Sequence, residues 1–428
     1  MQDVLAMVLA GGQGDRLSIL SEQRAKPAVV FGGRYRIIDF VLSNCATSGI
    51  SNVSVLTQYR PRSLVNHIAA GRDWGYDSLR NQLQILQPYL GRADMDWYQG
   101  TADAVYQNLY VVEEAQASEV LVLAGDHIYL TNYRNMIAYH RAKGADVTVG
   151  VYDVPVEDAH RYGVLDLDGE GRIVNWEEKP ANPKWTWVSM GIYCFNRDTL
   201  VEQLQADADD AESNHDFGRN IIPKMFRDAR VFGYPYSGYW RDVGTVASYW
   251  ESNMELALPN PPLRFDSDVA PLWTSGPKQP AARFGSRAIV HDSVVPPGCQ
   301  VDGNVIRSIL SPGVIIEAGA EVRDSIIHHG CVIRTGAVVD RSILDKEVVV
   351  GRNAVVGEGD ESVANFERPD IVNSGISIIG KRVSVPSGLH VGRNVVIGPG
   401  VSDELSEIAR LESGSSVHPR VMPLHLFV

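Results

Sequence analysis

A chain of 428 residues exceeds one ordinary hydrophobic core and points to two domains. Its hydrophobic fraction of 44% and charged fraction of 21% are those of a globular protein and exclude a disordered one. A net charge of -13 excludes general binding to nucleic acid or to acidic membranes, yet leaves room for a local cationic pocket that takes a small anion. Cys45, Cys194, Cys299 and Cys331 form no CxxC pair, which argues against zinc or redox motifs and fits a reducing compartment. The first ten residues lack the basic start and the length of a signal peptide, and no run of about 18 apolar residues occurs. The expected location is the cytoplasm.

In chain order, Val4–Leu9 (VLAMVL) reads as a buried strand and is followed at once by a glycine loop. Ile38–Thr47 has a helical pattern, Val53–Thr57 is a second strand, Ala102–Ala115 is helical, and Val120–Ala124 is a third strand ending at Gly125-Asp126. Such alternation implies a largely parallel sheet covered on both faces, with ligands bound at the carboxyl ends of its strands. Pro259 to Pro280 holds six prolines with little periodicity and reads as a linker. These signals divide the chain into 1–255, a linker 256–280, a repeat domain 281–402, and an unassigned tail 403–428.

The repeat domain shows its period directly. Ser308, Ser325 and Ser342 recur at a constant step, as do Gly319 and Gly336, Ala320, Ala337 and Ala354, and Ile316, Ile333 and Val350. Further on, Ile379, Val385, Val391 and Ile397 form one hexad register and Val383, Leu389, Val395 and Val401 another, with Gly380, Gly392 and Gly398 following the first. An apolar residue at every sixth position marks a parallel β-helix, in which three six-residue faces make one triangular coil.

The loop Leu9-Ala10-Gly11-Gly12-Gln13-Gly14-Asp15-Arg16-Leu17 can bring backbone N–H groups close to a phosphate, and Arg16 adds a planar cation. Lys26-Pro27 supplies a second cation nearby. The spacing is neither the Walker pattern nor the dinucleotide fingerprint. Strand, LAGGxGxRL and a following Lys-Pro together resemble the sugar-nucleotide pyrophosphorylases. Within them, the chain is similar to the bacterial glucose-1-phosphate adenylyltransferases through RAKPAVVFGGRYRIIDFVLSN (24–44), WYQGTADAVYQN (97–108), AGDHIY (124–129), EKPANP (178–183), SMGIY (189–193), HDFG (215–218) and YWRDVGT (239–245).

The resemblance implies an α/β fold: a Rossmann-like nucleotidyltransferase domain with a mostly parallel mixed sheet, then a C-terminal left-handed parallel β-helix of hexapeptide repeats. It implies transfer of AMP from ATP to glucose 1-phosphate for glycogen or another α-glucan, with Mg2+ held by Asp126 and Asp242, and a homotetramer. The catalytic residues it implies are Arg16, Lys26, Asp126, Lys179 and Asp242. Leu9, Ala10, Gly11, Gly12, Gly14, Arg16, Lys26, Gln58, Gly100 and Thr101 would surround the nucleotide, with Gln58 either facing a base edge or serving structure. Tyr98, Gly163, Glu178, Lys179, Ser189, Tyr193, Asp216, Phe217 and Trp240 would line the glucose 1-phosphate site, and His127 is expected to be a packed neighbour of Asp126.

Arg24 and Arg34 are the candidate regulatory residues for a sugar-phosphate effector. Regulated relatives carry Lys in FGGK and before RAKP, where this chain has Arg34 and Gln23, which leaves the activator open. The loop between Pro183 and Ser189 is short. Three other functions fit parts of the pattern: another nucleotide–sugar pair, a non-catalytic regulatory subunit, and an acyltransferase β-helix. The last would need a catalytic histidine, and His328-His329 reads better as a solvated turn.

Overall fold

The structure is a computed structural model that describes residues 1–12, 14–78, 80–88, 97–265 and 271–420. The chain forms two compact units. The first comprises Met1–Gly12, Ile37–Trp240 and a short segment ending at Ser275; the second takes the chain up to Arg36, Arg241–Phe265, and everything from Gly276 onward. The division therefore does not follow the simple order of domains expected from composition. The segments carrying Lys26 and Asp242 group with the repeat coils.

In the first unit, β1 (Val4–Leu9), β2 (Asn52–Leu56), β3 (Gln82–Leu86), β4 (Glu119–Ala124), β5 (Val147–Asp153), β6 (Gly163–Leu167), β7 (Ile173–Glu178), β8 (Trp187–Asn196) and β9 (Val231–Pro235) make one sheet. Its order is β7-β6-β8-β4-β1-β2-β3, and β5 pairs with both β8 and β9. Strands β4, β1, β2 and β3 run parallel, whereas β8 is antiparallel to β4, β5 and β6. Strand β1, and β4 from Val120 onward, are unbroken apolar runs because both their faces are buried.

Helix α1 (Ile37–Thr47) lies where the pattern placed it. The single helix expected over 102–115 is instead two, α2 (Thr101–Tyr106) and α3 (Leu109–Glu114). Asn108 causes the break: its amide donates to the Ala104 carbonyl at 2.8 Å and to Tyr98 Oη at 3.0 Å, competing with the backbone ladder. Among the described residues no helix is long and apolar enough to cross a membrane.

In the second unit the repeats wind into a three-walled parallel β-helix, the walls being, among the described residues, sheets of six, seven and six strands. Ile316 pairs with Ile333, and Ile333's neighbour in the next coil is Val350, so the step read from the sequence is one coil. These residues, with Val322, Val339, Val356, Ile379, Val385 and Ile397, form a closed apolar core. The spaced serines form a ladder. Ser308 Oγ accepts from the Ser325 N–H, and Ser325 Oγ accepts from the Ser342 N–H at 3.1 Å while donating to the Arg323 carbonyl at 2.6 Å.

Between Val356 and Ser377 the chain makes an excursion, after which Leu344 stacks on Ile379, Val350 on Val385 and Val356 on Val391, with all three walls still in register. Buried Asn365 fastens the excursion by donating to the carbonyls of Asn394 and Gly414. Past residue 402, left unassigned from sequence, Arg410–Leu411 and Ser416–Val417 add strands to two walls; residues 421–428 lie outside the described residues.

His328 is not in a solvated turn, contrary to the sequence expectation. It is fully buried, with Nδ1 at 3.1 Å from Asp345 Oδ1 and Nε2 at 3.0 Å from Tyr249 Oη. Burial holds its imidazole below the ordinary histidine value, and the hydrogen bond to Asp345 opposes this.

Ser325→Ala removes both ladder bonds and strands the Ser342 N–H in the core. It should reduce stability by about 1–3 kcal/mol in denaturant unfolding. An unchanged midpoint would mean that this N–H has another acceptor.

Candidate active site

The parallel strand ends of the first unit are tied side by side. Ala10 N–H donates to the Leu56 carbonyl at 2.8 Å, Gly125 N–H to Leu9 at 3.0 Å, and Thr57 N–H to Leu86 at 2.8 Å. One sheet edge therefore carries Leu9, Ala10, Gly11, Gln58 and Asp126, with Gly12 following in the loop. Gln58 Nε2 donates to the Tyr98 carbonyl at 3.2 Å, which favours the structural use of that amide. Asp126 is half-buried, its Oδ1 3.7 Å from His127 Nε2. His127 Nδ1 meets the Met190 carbonyl at 3.1 Å, and its ring stands edge-on to Trp240 at 5.4 Å. Trp240 is buried and also packs on Tyr152 and Tyr162.

A second group gathers around Glu178 at the end of β7. A Cβ built on Gly163 would stand 2.7 Å from Glu178 Oε2, and one on Gly218 would stand 2.9 Å from it. A side chain at either place would push the carboxylate from this position. Lys179 follows with a left-handed φ of 48°, strained for a non-glycine residue, and Nζ 3.4 Å from Glu178 Oε1. Burial raises the Glu178 carboxyl above its ordinary value; the Lys179 ammonium opposes this and Asp216 adds to it.

Asp216 accepts from Thr101 Oγ1 at 2.9 Å and from the backbone N–H groups of Gly218 and Arg219, capping the turn that begins at Phe217. Thr101, expected with the nucleotide, and Asp216, expected with the sugar, thus touch. Gly100 is pressed against the 214–215 backbone, where an added Cβ would lie 2.2 Å from the His215 carbonyl. Ser189 Oγ lies 3.4 Å from Tyr193 Oη. Tyr193 and Phe217 stack at 5.5 Å inside the core, and Tyr98 is buried with them. The rings of Phe217 and Tyr98 are therefore core side chains first.

The second unit holds its own cluster. Lys26 Nζ is 3.0 Å from Asp242 Oδ1, and both side chains are largely buried. Gly14 is in the left-handed region with Lys26 alongside. A Cβ on Gly244 would lie 3.1 Å from Arg16 Nη2 and 2.9 Å from Asp242 Oδ1, so Arg16, Lys26 and Asp242 converge. Gln13, within the same loop, lies outside the described residues.

Arg24 is almost fully buried and bidentate on Asp345, at 2.9 and 2.5 Å. Its guanidinium is therefore committed to the coil rather than displayed to an effector. Arg34 is exposed, with its guanidinium 5.5 Å from the Tyr35 ring centroid. The sequence reading missed Lys346, next to Asp345. Burial, with the cations Arg36, Arg24 and Lys381, pushes its ammonium down to about 7. His329 is pushed down to about 3 by burial and by Lys346. No motif marks this basic group, because its members come from separate coils and from the segment before α1.

A mixed sheet with glycine and carboxylate loops at its parallel strand ends, followed in sequence by hexapeptide coils, defines a nucleotidyl transferase. The "Nucleotidyl transferase" family model matches residues 5–258, and the "GlmU-like, C-terminal hexapeptide" model matches residues 278–379. The chain is 51% identical to the glucose-1-phosphate adenylyltransferase of Thermomicrobium roseum, over 98% of both chains. It is 49% identical to that of Thermotoga neapolitana, over 98% of this chain and 100% of the other, and 43% identical to that of Acetivibrio thermocellus, over 97% and 98%. The chain belongs to the glucose-1-phosphate adenylyltransferase family.

The raised Glu178 carboxyl has a consequence for stability. The native state keeps this proton longer than the unfolded chain does, so the burden of ionising Glu178 appears as pH rises above the ordinary carboxylate value. Glu178→Gln cannot ionise. Its Tm relative to the parent should climb as pH rises above the ordinary carboxylate value; a flat difference would remove burial as the dominant influence.

Proposed function

We propose that this protein joins ATP and α-D-glucose 1-phosphate into ADP-glucose with release of pyrophosphate, in glycogen or other α-glucan synthesis. The observation that carries this is 51% identity across 98% of the chain to a relative bearing the name glucose-1-phosphate adenylyltransferase. Retention of Arg16, Lys26, Asp126, Lys179 and Asp242 argues against a non-catalytic subunit.

A phosphate oxygen of the sugar attacks the α-phosphorus of ATP. One P–O bond forms, the bond to the bridging oxygen breaks, and pyrophosphate departs. The attacking oxygen is already anionic and requires no general base. The obstacle is the meeting of two polyanions, so catalysis rests on positioning and charge neutralisation. In this assignment Arg16 and Lys26 hold the triphosphate, and Lys26 exchanges its Asp242 contact for phosphate oxygen. Gly11, Gly12 and Gly14 let the backbone approach the nucleotide. Lys179 grips the sugar phosphate while Glu178 and Asp216 receive sugar hydroxyls.

Asp126, about one-third exposed, and Asp242, largely buried against Lys26, carry the hard oxygen donors that Mg2+ requires. Bound Mg2+ would neutralise phosphate charge there. We further assign the protein to the cytoplasm, in keeping with four buried, unpaired cysteines, and to a homotetramer, to be read by analytical ultracentrifugation.

A sugar bisphosphate is assigned to the basic group of Arg36, Lys346 and Lys381, with Arg34 nearby in sequence. This replaces Arg24 as the contact residue, since Arg24 is held by Asp345.

Pyrophosphate release should be fastest with ATP when ATP, UTP, GTP and dTTP are offered in turn, and EDTA should abolish it. In the same assay Lys179→Ala should raise the KM for glucose 1-phosphate at least about 10-fold and that for ATP less than about 3-fold. Equal effects on both would displace Lys179 from the sugar phosphate. Preference for another nucleotide would keep the mechanism and change the pathway.

The effector assignment has its own signature. An anion beside Lys346 raises its depressed affinity for protons, so binding of fructose 1,6-bisphosphate should take up protons near neutrality and weaken as pH rises past about 7. Calorimetry in buffers of different ionisation enthalpy reads this directly. Binding without proton uptake would place the effector elsewhere.

A further inference from the structure

Helix α4 (Arg197–Ala208) carries near its end a carboxylate that belongs to no motif. Asp207 is only 4% exposed. Ser213 Oγ donates to its Oδ1 at 2.7 Å, His215 Nδ1 lies 2.9 Å from its Oδ2, and Lys224 Nζ is 3.8 Å from Oδ1. A carboxylate buried this deeply is tolerated only with such partners. What the partners do is more telling. His215 holds a left-handed φ of 51°, unfavourable for a residue with a side chain. In that conformation its carbonyl accepts from the N–H groups of Ala102 and Asp103, the first donors of α2, at 2.8 and 3.2 Å. The next residue, Asp216, accepts from Thr101 Oγ1. Gly100 fits beneath the His215 carbonyl because it has no Cβ.

We propose that Asp207 and His215 are a positioning pair for the reaction. By holding the imidazole, Asp207 fixes the strained turn at His215, and that turn sets the register of Gly100-Thr101 against Asp216-Phe217-Gly218. The proposal rests on the assignment of Thr101 and Asp216 to the substrates. Neither member of the pair touches substrate. Their effect is on how accurately two substrate loops face each other, where a displacement of an ångström is costly in rate.

The test uses the full chain and initial rates of pyrophosphate release. His215→Ala and Asp207→Ala should each raise the KM for glucose 1-phosphate about 10-fold with a smaller change in kcat. The double variant Asp207→Ala/His215→Ala should show the same defect as either single variant, because both break one contact. Unchanged KM in His215→Ala, or a lowered Tm as its sole effect, overturns the proposal. So does a double variant whose KM rises by the product of the two single effects. Thr101→Val separates the two levels. If it raises the KM while His215→Ala is silent, the positioning pair fails alone; if Thr101→Val is itself silent, the substrate-loop assignment fails and the pair falls with it.

Discussion

The ion pair of Arg24 with Asp345 is the contact around which the second unit is arranged. Both side chains are almost wholly removed from water, a transfer that costs several kcal/mol per ion unless geometry and further hydrogen bonds offset it. Here the pair is bidentate, and His328 supplies Asp345 with a further contact. Burial alone would raise the Asp345 carboxyl; Arg24 and His328 hold it far below the ordinary range. Tyr249, on α5 (Val246–Met254), donates to the Val30 carbonyl and meets His328. Three stretches of chain are thereby locked together: the motif segment with Arg24 and Val30, helix α5, and a coil of the β-helix. Lys26 lies two residues beyond Arg24, and Asp242 lies just before Thr245, whose capping box with Ser248 starts α5. The coils act as the template on which these two groups are set 3.0 Å apart.

That arrangement fits the overall acidity of the chain. A protein with net charge -13 that handles polyanions must concentrate its cations and hold them in place before substrate arrives. Lys26 is kept against Asp242, Lys179 near Glu178, and Arg24 on Asp345. In the proposed assignment, phosphate binding at Lys26 becomes an exchange of one anion for another, and its largely buried ammonium need not first be stripped of a full hydration shell. Arg24 is different: no ligand can displace a buried bidentate partner without dismantling the coil contact. Two arginines of one motif, Arg24 and Arg36, are therefore assigned unlike duties that residue type does not distinguish.

Much of this was legible in the sequence. Strand β1 was bounded to the residue, because a doubly covered parallel strand is a continuous apolar run. The coil step followed from Ile316, Ile333 and Val350, since stacked coils repeat what they bury. The residues assigned to catalysis rest on motif resemblance, as single aspartates and lysines carry no periodic signal. The split of α2 from α3 was missed because Asn108 acts through a side-chain bond that helical patterning ignores. His328 was misread for a subtler reason. Its partner Asp345 is one coil away, at the 17-residue separation that also joins Arg307 to Asp324 and Arg334 to Glu317. Applying the coil step to charged residues as well as apolar ones would have found all three pairs. The union of the motif segments with the coils had no such signal, because it depends on contacts such as Arg24 to Asp345 across 321 positions.

The excursion between Val356 and Ser377 bears on how this architecture can change. The three walls step by 35 positions there instead of 17, as Arg352 and Ser387 illustrate, and resume in phase. About one coil's length of chain has been looped out at a corner without disturbing the stack below or above it. A corner that absorbs a whole turn of sequence, fastened by the buried asparagines Asn365 and Asn394, is a natural splice point. Descendants of this chain can gain or lose material there while inheriting the same scaffold, so this surface can diversify independently of the chemistry.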